Sequence, residues 1–112
     1  MVKSSKPDAF QADFCAERLK ALGDPLRLRI VDLLRRGEMT VTDISEFLET
    51  ELVTVSHHLQ ILKHAHLVTP RKEGRFIYYG LQKDLHAEER AGKTLDLGCC
   101  KLEIVDTNQK MQ

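Results

Sequence analysis

The sequence predicts a mainly α domain with one small β-hairpin. Three observations carry this. Apolar residues recur at helical spacing from Asp8 to Leu62, broken at Gly23-Asp24-Pro25 and at Gly37. A short helix passes through a tight turn at Glu49-Thr50 into a longer one with a polar outer face. Directly after it, Leu67 to Arg71 and Phe76 to Leu81 read as two strands joined at the basic turn Lys72-Glu73-Gly74-Arg75. Helix, turn, helix and basic hairpin together outline a winged helix-turn-helix.

The elements follow in order. Residues 1–7 are polar and read as a disordered N-terminus. A first helix runs from Asp8 to Leu22, with Phe10, Ala12, Phe14, Cys15, Leu19 and Leu22 on one apolar face. Gly23 is expected to close it in a left-handed conformation, Asp24 to cap the second helix, and Pro25 to take that helix's first position. Leu26, Ile30, Leu33 and Leu34 form the second helix's stripe, with Arg35 and Arg36 at its negative end and Gly37 stopping it. Glu38 to Val41 tolerates a strand and is placed to pair with the later hairpin. Thr42 is expected to cap a third helix carrying Ile44, Phe47 and Leu48. The fourth helix turns Leu52, Val55, Leu59 and Leu62 inward. Pro70 lacks a ladder donor and suits an edge strand, and Gly74 suits a positive φ. Asp84 to Ala91 allows a two-turn helix, whereas Thr94 to Ile104 reads as extended around Gly98-Cys99-Cys100. Residues 8–104 thus form one domain, and 105–112 a disordered tail.

A chain of 112 residues suits one domain and gains burial by dimerising. Lys plus Arg and Asp plus Glu both number 17, so the net charge is zero, but the charges are segregated. Residues 38–51 carry Glu38, Asp43, Glu46, Glu49 and Glu51 without a Lys or Arg, whereas 63–75 carry Lys63, Arg71, Lys72 and Arg75 against Glu73. A local basic stripe still engages phosphates, with fewer contacts and a weaker salt slope than a basic protein. No apolar run reaches membrane-spanning length and the N-terminus has no signal-peptide core, so a cytoplasmic address without a membrane partner is expected. Thiols stay reduced there, and three cysteines, an odd number, argue against a structural disulfide framework.

The outer face of the fourth helix presents Val53, Thr54, Ser56, His57, Gln60 and Lys63. Gln pairs with adenine, Ser and Thr bond either partner, and Val or a Thr methyl meets the thymine methyl. Arg71, Lys72 and Arg75 suit phosphate or minor-groove contact. Double-stranded DNA is therefore the expected partner. His58 lies between inward positions and reads as a hydrogen-bonded structural histidine.

The segments LKALGDPLRLRIVDLL, VSHHLQILKHAHLV and RKEGRFIYYGL resemble the ArsR/SmtB family of dimeric metal-responsive repressors, over roughly residues 16–82. The resemblance implies a winged helix that dimerises through its first and last elements, binds an inverted-repeat operator and leaves it when an inducer binds. Two departures stand out: Glu51-Leu52 where the family often has Ser-Gln, and His66 where it often has Gly. The arsenic-sensing Glu-Leu-Cys-Val-Cys-Asp-Leu segment corresponds to Glu38-Met39-Thr40-Val41-Thr42-Asp43-Ile44, so both cysteine positions hold Thr, which is no soft ligand. The zinc-sensing pattern finds Asp84 and His86, but Leu97 and Cys100 replace its second pair, and the Asp84/His86 pair reads as solvated.

The remaining candidates are the thiols. Extended neighbours point to opposite faces, whereas a turn kinked at Gly98 aims Cys99 and Cys100 at one ion. Cys15, on the first helix, is placed to be a third ligand if the C-terminal segment lies against it. Three thiolates suit As(III) or Sb(III), with other thiophilic ions such as Cd, Pb or Zn as alternatives. Some arsenic-responsive relatives carry a comparable C-terminal cysteine pair. A thiol redox-sensing repressor is the competing reading, through Cys99–Cys100 or a bond from either to Cys15. A thiol enzyme would need a His beside the thiol and an oxyanion pocket, and only His86 is near in sequence. A purely protein-binding winged helix is a further alternative, distinguished by salt-insensitive association.

Overall fold

The computed structural model describes residues 11–85 and 94–103. The expected start of the first helix at residues 8–10, most of the expected Asp84–Ala91 helix with His86, Ile104, and the terminal segments 1–7 and 105–112 lie outside them.

Helix α1 (Ala12–Leu22) buries Cys15, Arg18, Ala21 and Leu22. Its broad apolar face is only half covered: Phe14 and Leu19 remain 36% and 44% exposed. The chain's own core lies along the line Cys15–Arg18–Leu22, and among the described residues the Phe14 and Leu19 side of the face is only partly covered. Gly23 does not adopt the expected left-handed conformation. At φ −82° it closes the helix through its N–H to the Lys20 carbonyl, 3.1 Å. Helix α2 (Pro25–Leu34) begins as expected, with the Asp24 carboxylate accepting from the Leu26 and Arg27 amides at 3.0 and 3.1 Å. The bond from the Arg27 amide, aided by the charges of Arg27 and His58, holds the Asp24 carboxyl below its usual value. The cap is therefore intact above the ordinary carboxylate range and is lost as pH falls beneath it. Ile30, Val31, Leu33 and Leu34 are buried, while Leu26 packs only partly.

Strand β1 (Met39–Thr40) pairs antiparallel with the later hairpin, as the sequence allowed. The cap of α3 (Val41–Leu48) is Thr40, not Thr42. Thr40 is still extended where β1 ends, so its hydroxyl reaches the Asp43 amide at 3.1 Å, whereas Thr42 is already inside the helix and exposed. Ile44 is fully buried, but Phe47 is 61% exposed, against expectation. So short a helix sits at the rim of the core and presents one line to it. Glu49 in a left-handed conformation ends α3 and leads into α4 (Leu52–His64). Val55, Leu59 and Leu62 of α4 are fully buried. Leu52, expected inward, is the first residue of α4 and is 48% exposed.

The chain leaves α4 through His66 at φ +61°. Here the family pattern prefers Gly, and histidine is one of the few other residues that occupies this region readily. Strands β2 (Val68–Glu73) and β3 (Phe76–Leu81) form the hairpin, with Pro70 opposite Tyr79 and Lys72 opposite Ile77. The sheet order β1-β3-β2 puts Pro70 on an edge strand, and Gly74 turns the hairpin at φ +64°. A 3-10 turn at Lys83–Leu85 follows. Strands β4 (Thr94–Asp96) and β5 (Lys101–Glu103) then form a second hairpin, matching the extended reading of that segment. Its turn is Leu97-Gly98-Cys99-Cys100, closed by the Leu97 amide on the Cys100 carbonyl at 2.9 Å with Gly98 at φ +92°. Leu85, Leu95 and Leu97 are fully buried and seat this hairpin on the main core. No helix among the described residues is long and apolar enough to cross a membrane.

Candidate functional site

Burying Val55, Leu59 and Leu62 leaves a defined outer face on α4. Val53 is 78% exposed, Ser56, His57, Gln60 and Lys63 are exposed, and Thr54 is half-buried. Gln60 Nε2 donates to the Tyr79 hydroxyl at 3.5 Å and so touches the wing strand β3. His58 turns inward: its Nδ1 is 2.9 Å from the Arg27 guanidinium and 4.0 Å from the Asp24 carboxylate. It is the structural histidine the sequence led us to expect, tying α4 to the N-terminus of α2.

At the wing tip Lys72 and Arg75 are exposed, Arg75 lying 5.8 Å over the Phe76 ring. Arg71 is differently placed. Its guanidinium grips Glu38 at 2.8 and 3.0 Å and Glu73 at 2.7 Å, and lies 5.2 Å from the Tyr78 ring centre. The Glu38 and Glu73 hydrogen bonds push the Arg71 pKa up, and the Arg71 hydrogen bond pulls the Glu38 carboxyl down. Sequence reading set Glu38 apart in an acidic segment and missed this pairing. Register alone relates them: Glu38 precedes β1, whose partner β3 also pairs with β2.

The three cysteines meet. Cys15 comes from α1 and is buried, Cys99 is half-buried and Cys100 exposed in the β4–β5 turn. Cys15 and Cys99 are joined as a disulfide, one of the pairings the redox alternative left open, although an odd cysteine count argued against a disulfide framework. The kink at Gly98 is what lays Cys99 against α1. The Cys100 thiol remains free, its sulfur 3.6 Å from that of Cys15 and 3.9 Å from that of Cys99. All three sulfurs lie within 4.8 Å of one another, a separation one ion can bridge when they are reduced. Among the described residues this is the only such group of His, Cys, Asp and Glu. Asp84 is exposed and 3.6 Å from Arg18, apart from the thiols, and His86 lies outside the described residues. Thr40 serves as a helix cap.

Arg18 is the residue that sequence reading overlooked. It is 1% exposed, within the stripe Phe14–Arg18–Leu22. A charge inside an apolar i, i+4 line was the available signal, because such a residue is buried only when its donors are satisfied. They are, by the carbonyls of Ala65, His66 and Leu97.

The family model for the bacterial regulatory protein, arsR family, matches residues 24–69. The chain is 47% identical over 62 residues to the transcriptional repressor SdpR of Bacillus subtilis, covering 55% of this chain and 69% of that one. It is 38% identical over 85 residues to an arsenical resistance operon repressor of the same species, covering 75% and 77%. The homodimeric winged helix-turn-helix DNA-binding domain Mb0332 of Mycobacterium bovis superposes with a TM-score of 0.65 at 39% identity, over 73% of this chain and 76% of that one. These matches agree with the α1–β3 architecture, and the chain belongs to the ArsR family of bacterial regulatory proteins, as a winged-helix, DNA-binding transcriptional regulator and not an enzyme.

Proposed function

We propose that this regulator is a cytoplasmic homodimeric repressor that leaves an inverted-repeat operator when a thiophilic metal or metalloid, foremost As(III) or Sb(III), binds Cys15, Cys99 and Cys100. The observation that carries this is the meeting of three sulfurs within 4.8 Å from two distant parts of the chain. The similarity to an arsenical resistance operon repressor supports the choice of ligand class. In the reduced chain each thiol replaces one oxygen on arsenous acid, its proton leaving with that oxygen as water. Soft thiolates favour such a centre over hard cations, and Cd(II) or Pb(II) would be held by the same donors.

The DNA half rests on Val53, Thr54, Ser56, His57 and Gln60 facing a major groove, with Lys63, Arg71, Lys72 and Arg75 on phosphates or the minor groove. The partly exposed Phe14 and Leu19 side of α1 supports pairing with a second copy. A dimer sets two α4 helices at about 34–36 Å, one turn of DNA. Tying the β4–β5 turn to α1 changes that interface and hence the spacing. Inducer and DNA then weaken one another by the same factor.

The test is a titration of arsenite, antimonite, Cd(II) and Pb(II) into the reduced protein bound to a DNA site selected from a random pool, followed by anisotropy. Release at stoichiometric arsenite is the expected result, and no release by any thiophilic ion would reject the reading. A second reading is favoured by the Cys15–Cys99 bond itself. Here the two thiols give up two electrons and two protons to an oxidant of the hydroperoxide class, and the disulfide is the released state. Oxidation releasing DNA while arsenite does nothing would select it.

Glu38 bears on the wing. Together with Glu73 it pairs with Arg71 and offsets that side chain's charge. Replacing both partners, Glu38→Gln with Glu73→Gln, is expected to strengthen DNA binding severalfold at low salt and to steepen the salt slope by about one unit, the signature of one further phosphate contact. Unchanged slope and affinity would show that Arg71 does not contact the backbone.

A further inference from the structure

The geometry points to Arg18 as the positioning residue that transmits the state of the three thiols to the recognition helix α4; this rests on the thiol cluster being the sensing site. Arg18 stands one turn along α1 from Cys15. Its Nη1 donates to the Leu97 carbonyl at 3.0 Å, and Leu97 directly precedes Gly98-Cys99-Cys100. On its other side Nη2 donates to the His66 carbonyl at 2.6 Å and Nε to the Ala65 carbonyl at 3.4 Å. Ala65 is the C-cap of α4 and His66 the left-handed residue after it. One side chain therefore holds both the backbone of the thiol turn and the end of the helix that faces DNA.

The end carbonyls of α4 have no partners within the helix, and a buried cation among them is favoured by the helix dipole. A cap alone would need only the Ala65 and His66 contacts. The Leu97 contact adds a lever. A guanidinium is planar, with donors in a fixed fork, so moving the carbonyl at one tine turns the others. The plane is held in place by the Phe14 ring 4.6 Å away and by Asp84 at 3.6 Å. Packing is close around it, Arg18 being 1% exposed. When ligand or oxidation draws Cys99 and Cys100 toward Cys15, the Leu97 carbonyl shifts with them. Arg18 then repositions the last carbonyls of α4. Sub-ångström shifts in packed interiors are carried onward because the surroundings are not freely deformable.

The experiment uses the full chain, as wild type, Arg18→Met and Arg18→Lys, each reduced, oxidised and arsenite-treated. Thiol titration counts the sulfurs engaged, and amide hydrogen exchange reads the His66 and Leu67 N–H groups, which bond the Lys63 and Leu62 carbonyls. In the wild type, exchange at these amides is expected to change by about tenfold or more between reduced and engaged thiols, in keeping with typical coupling between sites. In Arg18→Met the thiols still engage but the change falls below about twofold. A full response in Arg18→Met, or none in the wild type in either engaged state, overturns the proposal. If arsenite fails to engage wild-type thiols, the metalloid reading falls, while the oxidised-against-reduced comparison still decides the role of Arg18. Should Arg18→Met not fold, Arg18→Lys decides: its ammonium keeps the charge without the fork, so less than half the response is expected, and an undiminished response overturns the proposal.

Discussion

Replacing Cys99 by serine is expected to abolish metalloid-driven release of DNA while leaving the uninduced complex intact. Cys99 and Cys100 share one turn, and only Cys15 supplies a sulfur from another element. Removing Cys99 leaves two thiols and a hydroxyl that is a poor partner for a soft centre. Loss of a mere supporting group around a metal lowers affinity by about 10–100-fold, so loss of a direct ligand should exceed about 100-fold. Cys15→Ser should do the same, because without it no ligand ties the turn to α1. The DNA-facing residues of α4 and the wing are untouched in both variants, so affinity without inducer should stay within about twofold, since a coupling lost between sites leaves the uninduced complex as it was. Anisotropy titrations of arsenite into each protein–DNA complex measure both quantities.

Cys100→Ser separates the two readings of the site. Under metalloid control it removes a third donor, and arsenite-driven release weakens sharply. Under redox control the Cys15–Cys99 bond needs no third sulfur and forms as before. Oxidative release that persists in Cys100→Ser, alongside an arsenite response absent in every form, would make the disulfide the switch. The free Cys100 sulfur 3.6 Å from Cys15 is also placed to exchange into that bond, which would ease its reduction. Arsenite and oxidant compete for the same sulfurs, so bound arsenite should protect Cys15 and Cys99 from oxidation.

What the sequence disclosed, and what it hid, follow one physical line. Local chemistry was legible. Asp24 and Pro25 announce a helix start because only a few residues satisfy free amides at that position, and the structure shows both bonds. The inward trio of Val55, Leu59 and Leu62 follows from periodicity, and the β-tolerant stretch at Glu38–Val41 holds the short strand Met39–Thr40. Misplaced residues are those whose environment is decided by distant parts of the chain. Phe47 and Leu52 fit a helical stripe, but each stands near the end of its helix, where it stays exposed. Thr40 outranks Thr42 as a cap because β1 holds it extended. The thiol cluster and a bond to Cys15 were among the sequence's alternatives, but which cysteine forms that bond depends on how the second hairpin settles on α1. Arg18 was missed for the same reason, since its acceptors lie 47 to 79 positions away in sequence.

Leu62→Ala should be strongly destabilising. Leu62 is fully buried near the end of α4, in the cluster that includes Leu59, Leu67 and Val55. Its truncation removes buried apolar surface and leaves a void that a close-packed interior fills only in part. Such changes cost about 2–5 kcal/mol, against a total of about 5–15 kcal/mol for a domain of this kind. In thermal terms that corresponds to a fall of about 10–30 °C in Tm. Val53→Ala on the opposite face of the same helix is the matched control. At 78% exposure it should alter stability by less than about 0.5 kcal/mol, while losing any contact with a thymine methyl. The pair therefore dissociates fold from recognition: one variant unfolds early but binds DNA when folded, and the other folds normally but binds less well. Urea unfolding at one fixed protein concentration measures the first effect, since a dimer's midpoint moves with concentration. A loss below about 1 kcal/mol for Leu62→Ala would mean that α4 does not bury this face, and the assignment of its outer residues to DNA would fall with it.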